Sequence, residues 1–214
     1  MKVVLADDHQ ILRDGVRLLL EKAGIHVVGE AASGREAIAE AKRSRPDVVV
    51  IDIAMPELNG VDATRRLTAE IPGVKVIALS MNVDRRDVLA MLNAGAVGYV
   101  VKSAASEELL AALYAVADGQ TYLSPAIAGY VGDRAIRGAI PSHERPDGPL
   151  SPREREVLQL IAEGRSSKEV ASALQIAVPT VESHRRQIMN KLKLRTVAEL
   201  TKYAIREGLT SADR

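Results

Sequence analysis

Val48-Val49-Val50-Ile51-Asp52-Ile53-Ala54-Met55-Pro56 sets four β-branched apolar residues directly before an acid. Such a run reads as a strand buried on both faces. Asp52 then sits where the strand leaves the sheet, and a carboxylate is costly there unless something uses or neutralises it. Asp7 and Asp8 follow an equivalent run, Val3-Val4-Leu5-Ala6, and Lys102 follows Tyr99-Val100-Val101. In an open parallel sheet the carboxyl ends of the strands meet at one edge, where such sheets bind ligands. Three carboxylates and one lysine converging there point to a divalent cation and a phosphoryl group.

On either side of this stretch the chain alternates apolar strands with amphipathic helical segments. Strands read at 2–6, 26–31, 48–53, 74–79 and 97–101, and helices at 10–22, 34–44, 60–70, 84–94 and 106–118. That alternation predicts a doubly wound α/β domain over residues 1–118, with five parallel strands. Residues 119–149 are punctuated by glycine and proline and read as a linker, with some helix around 125–136 and a flexible stretch at 138–149. From 150 to 208 the pattern is purely helical, and 209–214 reads as a frayed tail. Ser151-Pro152-Arg153-Glu154 has the form of a capping box, and Ser166 or Ser167 starts a short helix. A third helix is expected from Pro179, with Val178 outside it because the residue before proline is biased away from helix. A fourth is expected from about Thr196 to Glu207. A short helix, a turn and a longer basic helix predict a helix-turn-helix.

Composition narrows the classes. The 214 residues contain no cysteine, which excludes disulfides and thiolate metal sites. The N-terminus does not read as a signal peptide, and no apolar run approaches a membrane span of about 20 residues. Phe and Trp are absent, which argues against stacking on single-stranded nucleic acid. The net charge of +1 hides a split. Residues 1–118 hold 14 basic and 17 acidic side chains (−3), and residues 150–214 hold 12 and eight (+4). The basic back half is the candidate for a polyanion.

Asp7-Asp8, Asp52-x-x-Met55-Pro56, Asn59-Gly60, Ser80 and Tyr99-x-x-Lys102 resemble a response-regulator receiver domain, of flavodoxin-like fold. Leu150-Ser151-Pro152-Arg153-Glu154-Arg155-Glu156-Val157-Leu158, Lys168-Glu169-Val170-Ala171 and Thr180-Val181-Glu182-Ser183-His184 resemble a LuxR-type helix-turn-helix. The whole chain is similar to the NarL/FixJ subfamily. The resemblance implies that Asp52 accepts a phosphoryl group from a sensor histidine kinase. Asp7, Asp8, Asp52 and the Ala54 carbonyl would hold Mg²⁺ (or Mn²⁺), a cation that needs only one or two carboxylates and keeps its waters. Lys102 and Ser80 would meet phosphoryl oxygens, and Tyr99 would turn into space that Ser80 vacates. Two positions depart from the commonest receivers: Ser80 where threonine is frequent, and Ser103 rather than proline after Lys102. A different loop geometry is expected after Lys102. A phosphatase that also uses a strand-end aspartate would want a second acid two residues on, where this chain has Ala54. His9 reads as a solvated loop residue beside the acids.

In the third helix of the back half Val181, Ile188 and Leu192 form the core stripe. Ser183, Arg186 and Asn190 lie opposite, flanked by Glu182, Gln187 and Lys193. Arg186 is the candidate for guanine, Glu182 for cytosine and Gln187 for adenine. Lys168, Arg185, Lys191 and the backbone at Ser167 and Thr180 suit phosphates. His184 reads as a hydrogen bonder between helices. Val197, Leu200 and Tyr203 on the fourth helix are the candidates for pairing two copies on duplex promoter DNA. The expectation is a cytoplasmic, dimeric transcription regulator without enzymatic turnover, the alternative being a DNA-binding protein whose front half is a scaffold.

Overall fold

The computed structural model describes residues 1–81, 83–128 and 149–211. They form two compact units, one N-terminal and one C-terminal. No helix among the described residues is long and apolar enough to cross a membrane.

The N-terminal unit runs β1 (Lys2–Ala6), α1 (Gln10–Lys22), β2 (His26–Ala31), α2 (Gly34–Ser44), β3 (Val48–Asp52), α3 (Gly60–Glu70), β4 (Lys75–Ser80), α4 (Arg85–Asn93), β5 (Gly98–Val101), a 3₁₀ turn at Lys102–Ala104, α5 (Ala105–Ala117) and β6 (Tyr122–Leu123). The strands lie in the order β2-β1-β3-β4-β5-β6, and every pair is parallel. Both faces of the sheet are covered. Val3, Leu5, Val48, Val50, Ile77 and Leu79 pack with Val16 and Leu20 of α1 and Leu109 and Leu113 of α5. Their alternates Val4, Val49, Ile51, Val76 and Ala78 are just as buried, beneath α2 and α3. This is why the strands read as unbroken apolar runs.

The sheet departs from expectation at its end. Tyr122 and Leu123, assigned from the sequence to the linker, add a sixth strand beside β5. Two residues between Gly119 and Pro125 are too few to carry a detectable period. Ser124 follows, fully buried, and Ile127 is buried beyond it. Residues 125–128 are helical; the rest of the helix expected to 136, and 138–148 of the expected linker, lie outside the described residues.

The C-terminal unit contains α6 (Pro152–Ala162), α7 (Ser167–Leu174), α8 (Val178–Leu192) and α9 (Val197–Arg206). Ser151, Ser166 and Thr196 close capping boxes with Glu154, Glu169 and Glu199. Gly164, at φ 81°, ends α6 in the left-handed region that glycine enters without penalty. The start of α8 corrects the sequence reading by one residue. Ala177 takes the extended conformation (φ −73°, ψ 147°), Val178 is the first helical residue, and Pro179 follows within the first turn. Proline is tolerated there because first-turn N–H groups have no helical acceptor. No side chain caps α8.

Candidate functional site

Strand register brings the site together. Ala6 pairs with Ile51, Asp52 with Leu79, and Ser80 with Val101, so Asp7, Asp52, Ser80 and Lys102 emerge at one edge of the sheet. Backbone contacts fix the strand ends. The Asp7 N–H donates to the Ala31 carbonyl at 3.0 Å, and the Asp7 carbonyl accepts from Arg13 Nη1 at 2.5 Å. The Gly60 N–H donates to the Ile53 carbonyl at 2.8 Å. A Cβ on Gly60 would lie 2.0 Å from the Asp52 carbonyl oxygen. Only glycine lets α3 approach the strand end that closely. Asn59 caps α3 by accepting from the Asp62 N–H.

Lys102 Nζ lies 2.6 Å from Asp7 Oδ2 and 2.9 Å from Asp52 Oδ2, and its side chain is only 2% exposed. One ammonium therefore bridges two strand-end acids. Oxygens of Asp7, Asp8 and Asp52 and a ring nitrogen of His9 all fall within 4.8 Å of one another. Three carboxylates face one ammonium in this cluster, an excess of negative charge that suits a hard dication with oxygen ligands. His9, read as a loop residue, has a 67% exposed side chain, and its Nδ1 is 3.2 Å from both Asp7 Oδ1 and Asp8 Oδ1. Ala54 stands on the exposed lip just past β3.

The electrostatics follow from burial. Desolvation pushes the Asp52 pKa up; the charge and hydrogen bond of Lys102 oppose it, and the nearby acids Asp7 and Asp8 add to it. Tyr99 and Ser80 are both buried, and their hydroxyls are hydrogen-bonded. Burial pushes the Tyr99 phenol up to about 12, against the Ser80 bond, which lowers it. Tyr99 is thus fully buried against Ser80. No peptide bond among the described residues is cis, so the chain after Lys102 passes through Ser103 in a trans 3₁₀ turn.

In the C-terminal unit the outward face of α8 carries Ser183, Arg186 and Gln187, all exposed, as are Lys168 and Thr180. Val181 and Ile188 are buried, with Leu192 packed against them. Glu182 is half-buried, accepts a close hydrogen bond from the Ser167 hydroxyl, and lies 3.8 Å from Arg185. Two assignments need correction. Lys191, expected at a phosphate, pairs at 2.7 Å with the buried Glu154. Leu200, expected at a dimer surface, is fully buried in the core of its own unit. Of its companions, Val197 is 40% exposed, and Tyr203 is half-buried with Arg206 stacked 5.2 Å above its ring. His184, expected to bond between helices, is half-buried, and its Nδ1 has no hydrogen-bond partner among the described residues.

Sequence reasoning missed Glu154–Lys191, Arg13 and Ser124. The first two could have been suspected only from a fold already placed, since their partners lie 37 and six residues away. Ser124 had no signal, lying among breakers.

A doubly wound sheet with an acid–lysine cluster at its carboxyl edge, followed by a helix-turn-helix, defines a two-domain signalling regulator. The family described as response regulator receiver domain matches residues 3–114, and that described as bacterial regulatory proteins, luxR family, matches 148–204. The chain belongs to the two-component response regulators, in the branch that joins a receiver to a LuxR-type DNA-binding domain. It is similar to the transcriptional regulatory protein MctR of Rhizobium johnstonii, at 36% identity over 99% of this chain and 96% of that one. It is also similar to the response regulator UvrY of Escherichia coli K12, at 35% identity over 100% and 97%. Among solved structures, a complex of the response regulator RcsB with DNA superposes with a TM-score of 0.59 at 28% identity, covering 95% of this chain and 96% of that one. A LuxR-family response regulator from Aurantimonas gives a TM-score of 0.60 at 34% identity, over 63% and 97%.

Proposed function

We propose that Asp52 is the phosphoryl acceptor of a sensor histidine kinase and that its phosphorylation controls how the C-terminal unit binds duplex promoter DNA. The observation that carries this reading is the Lys102 ammonium, buried and bridging Asp7 and Asp52. It is a positive charge held between two strand-end carboxylates, Asp52 as the one that would attack and Asp7 as the acid that would keep the lysine in place.

Asp7, Asp8, Asp52 and the Ala54 carbonyl are the residues that would hold Mg²⁺ (or Mn²⁺). That cation supplies neutralisation of the phosphoryl oxygens, without which a carboxylate and a phosphoryl group repel. An Asp52 oxygen attacks phosphorus. The bond from phosphorus to the donor imidazole breaks, and its electron pair stays on the nitrogen. Lys102 turns from Asp52 to a phosphoryl oxygen, still tethered by Asp7. Ser80 offers its hydroxyl to another oxygen, giving up its bond to Tyr99.

In the second unit Lys168, Arg185 and the backbone at Ser167 and Thr180 would hold phosphates. Arg186, Glu182, Gln187 and Ser183 would face base edges in the major groove. Glu182, bonded to Ser167, would also set the angle between α7 and α8. The complex of RcsB dimers with DNA supports pairing of two copies here, with Val197 and the outer edge of Tyr203 as the available surface. Such a regulator would work in the cytoplasm.

Phosphoryl uptake from a small acyl phosphate with Mg²⁺, read by intact mass, tests the first claim. One phosphoryl per chain is expected, and none in Asp52→Ala. No uptake by the wild type would sink the reading, and sustained turnover would replace it with an enzyme.

A further inference from the structure

The segment that leaves the receiver sheet grips the strand that carries the switch and the lysine. β6 covers only two residues, so the ladder along β5 runs out at Tyr99. Ser124 completes it. Its N–H donates to the Tyr99 carbonyl at 2.9 Å, and its hydroxyl oxygen accepts from the Val101 N–H at 3.1 Å. The same hydroxyl donates to Glu108 of α5 in a close contact, and the Tyr122 hydroxyl bonds the same carboxylate. Ser124 is 0% exposed, so water cannot replace it, and an unmet buried N–H costs about 1–3 kcal/mol. The residue after Val101 is Lys102, whose Nζ bridges Asp7 and Asp52.

We propose that Ser124 and Glu108 are positioning residues for Lys102, and that through them the state of the phosphoryl site is read into the segment leading toward the DNA-binding unit. The inference rests on the reading of Asp52 as phosphoryl acceptor. Transfer of Lys102 from Asp52 to a phosphoryl oxygen pulls on its own backbone. Release of Ser80 frees Tyr99 in the same strand. Both displacements act on the peptide groups that Ser124 holds, Tyr99 C=O and Val101 N–H. The clamp is made or broken as a unit, because one hydroxyl serves both Val101 and Glu108. Coupling of this kind is reciprocal, so loosening the clamp must also change how well the site accepts its ligand.

Hydrogen exchange on the full-length chain, with Mg²⁺ and with or without beryllofluoride as an acyl-phosphate mimic, tests this. In the wild type the mimic should change exchange at Val101 and over residues 122–127. In Ser124→Ala and Glu108→Leu those amides should exchange faster and ignore the mimic, with affinity for it shifted about five- to tenfold. Glu108→Gln keeps an acceptor oxygen and should restore the response; this pair decides the matter if Ser124→Ala does not fold. Occupancy is followed in the same samples by fluorine NMR. A wild type that binds the mimic without any change over 122–127 overturns the clamp alone. So does a Ser124→Ala or Glu108→Leu chain that responds like the wild type. A wild type that does not bind the mimic overturns the reading of Asp52 and the clamp together.

Discussion

Asp52 shows how one side chain can be costly to the fold and necessary to the site. Its pKa is raised, chiefly by burial, so the folded state holds the proton more tightly than the unfolded chain. Its contribution to stability is complete below the ordinary aspartate value of about 3.9 and is lost as pH rises through the folded value. Without a divalent cation, Asp52→Asn should therefore stabilise the receiver near neutral pH by about 1–2 kcal/mol and remove the pH dependence between the unfolded and folded values. Calorimetry in chelator checks this, and an Asn variant that melts lower than the wild type refutes it. Mg²⁺ at about ten times its Kd should stabilise the wild type by about 1.4 kcal/mol. Glu154 has the opposite sign. Burial pushes its pKa up, but hydrogen bonds from Lys191 and from the Ser151 N–H and hydroxyl, with the Lys191 charge, hold it below the usual value. Its stabilisation is present above about pH 4.3 and is lost as pH falls through the lower folded value. Lys191→Met should cost the C-terminal unit about 1–2 kcal/mol at neutral pH. That is less than a fully buried pair would cost, because Lys191 is half in water and Ser151 remains. A melt unchanged by the substitution would show that the pair carries no weight.

At the scale of elements, α8 is the outlier of the C-terminal unit. α6, α7 and α9 each open on a capping box, whereas α8 opens on Ala177 with no side-chain acceptor. The Ala177 backbone is already extended. Ala177→Ser should therefore supply the missing bond without rearrangement and stabilise the unit by about 1 kcal/mol, a rise of about 4–8 °C in its thermal midpoint. A flat or lowered midpoint would mean that the first turn of α8 is satisfied some other way. The elements were legible in the sequence where periodicity was long. Among the described residues, the five core strands and the nine α-helices labelled above have clear apolar patterns, most of them bounded by caps, glycine or proline, so their ends differ from expectation by a residue or two at most. What escaped was set by partners distant in the chain. Leu200 falls on a stripe that serves both a core and a surface by periodicity alone, and only packing against α6 shows that the core takes it. The site acids were legible because each ends an apolar run. Arg13, which holds the Asp7 carbonyl, was not, because nothing in an α1 sequence says which loop its arginine will reach.

For the whole molecule, charge is divided by task. The acidic unit carries the acid cluster proposed to hold a cation, and the basic unit presents Lys168, Arg185 and Arg186 on one helix-turn-helix. Affinity for duplex DNA should fall steeply with salt, by a slope of about −0.9 for each phosphate neutralised. Lys168→Ala should weaken binding about equally across sequences and make the slope shallower by about 1. Arg186→Ala should cost about 1–3 kcal/mol and relax selection at one base position. Sequence selection from random duplexes at two salt concentrations separates these outcomes; a Lys168→Ala chain with an unchanged slope removes that residue from the phosphate contacts. The shortness of β6 has one more consequence. A parallel sheet that ended on β5 would present a row of open peptide groups to any extended chain nearby. Two residues of strand, closed off by a side-chain hydroxyl and a helical turn, leave almost no template for another strand to pair with. On that side the receiver is guarded against edge-to-edge aggregation by its own chain.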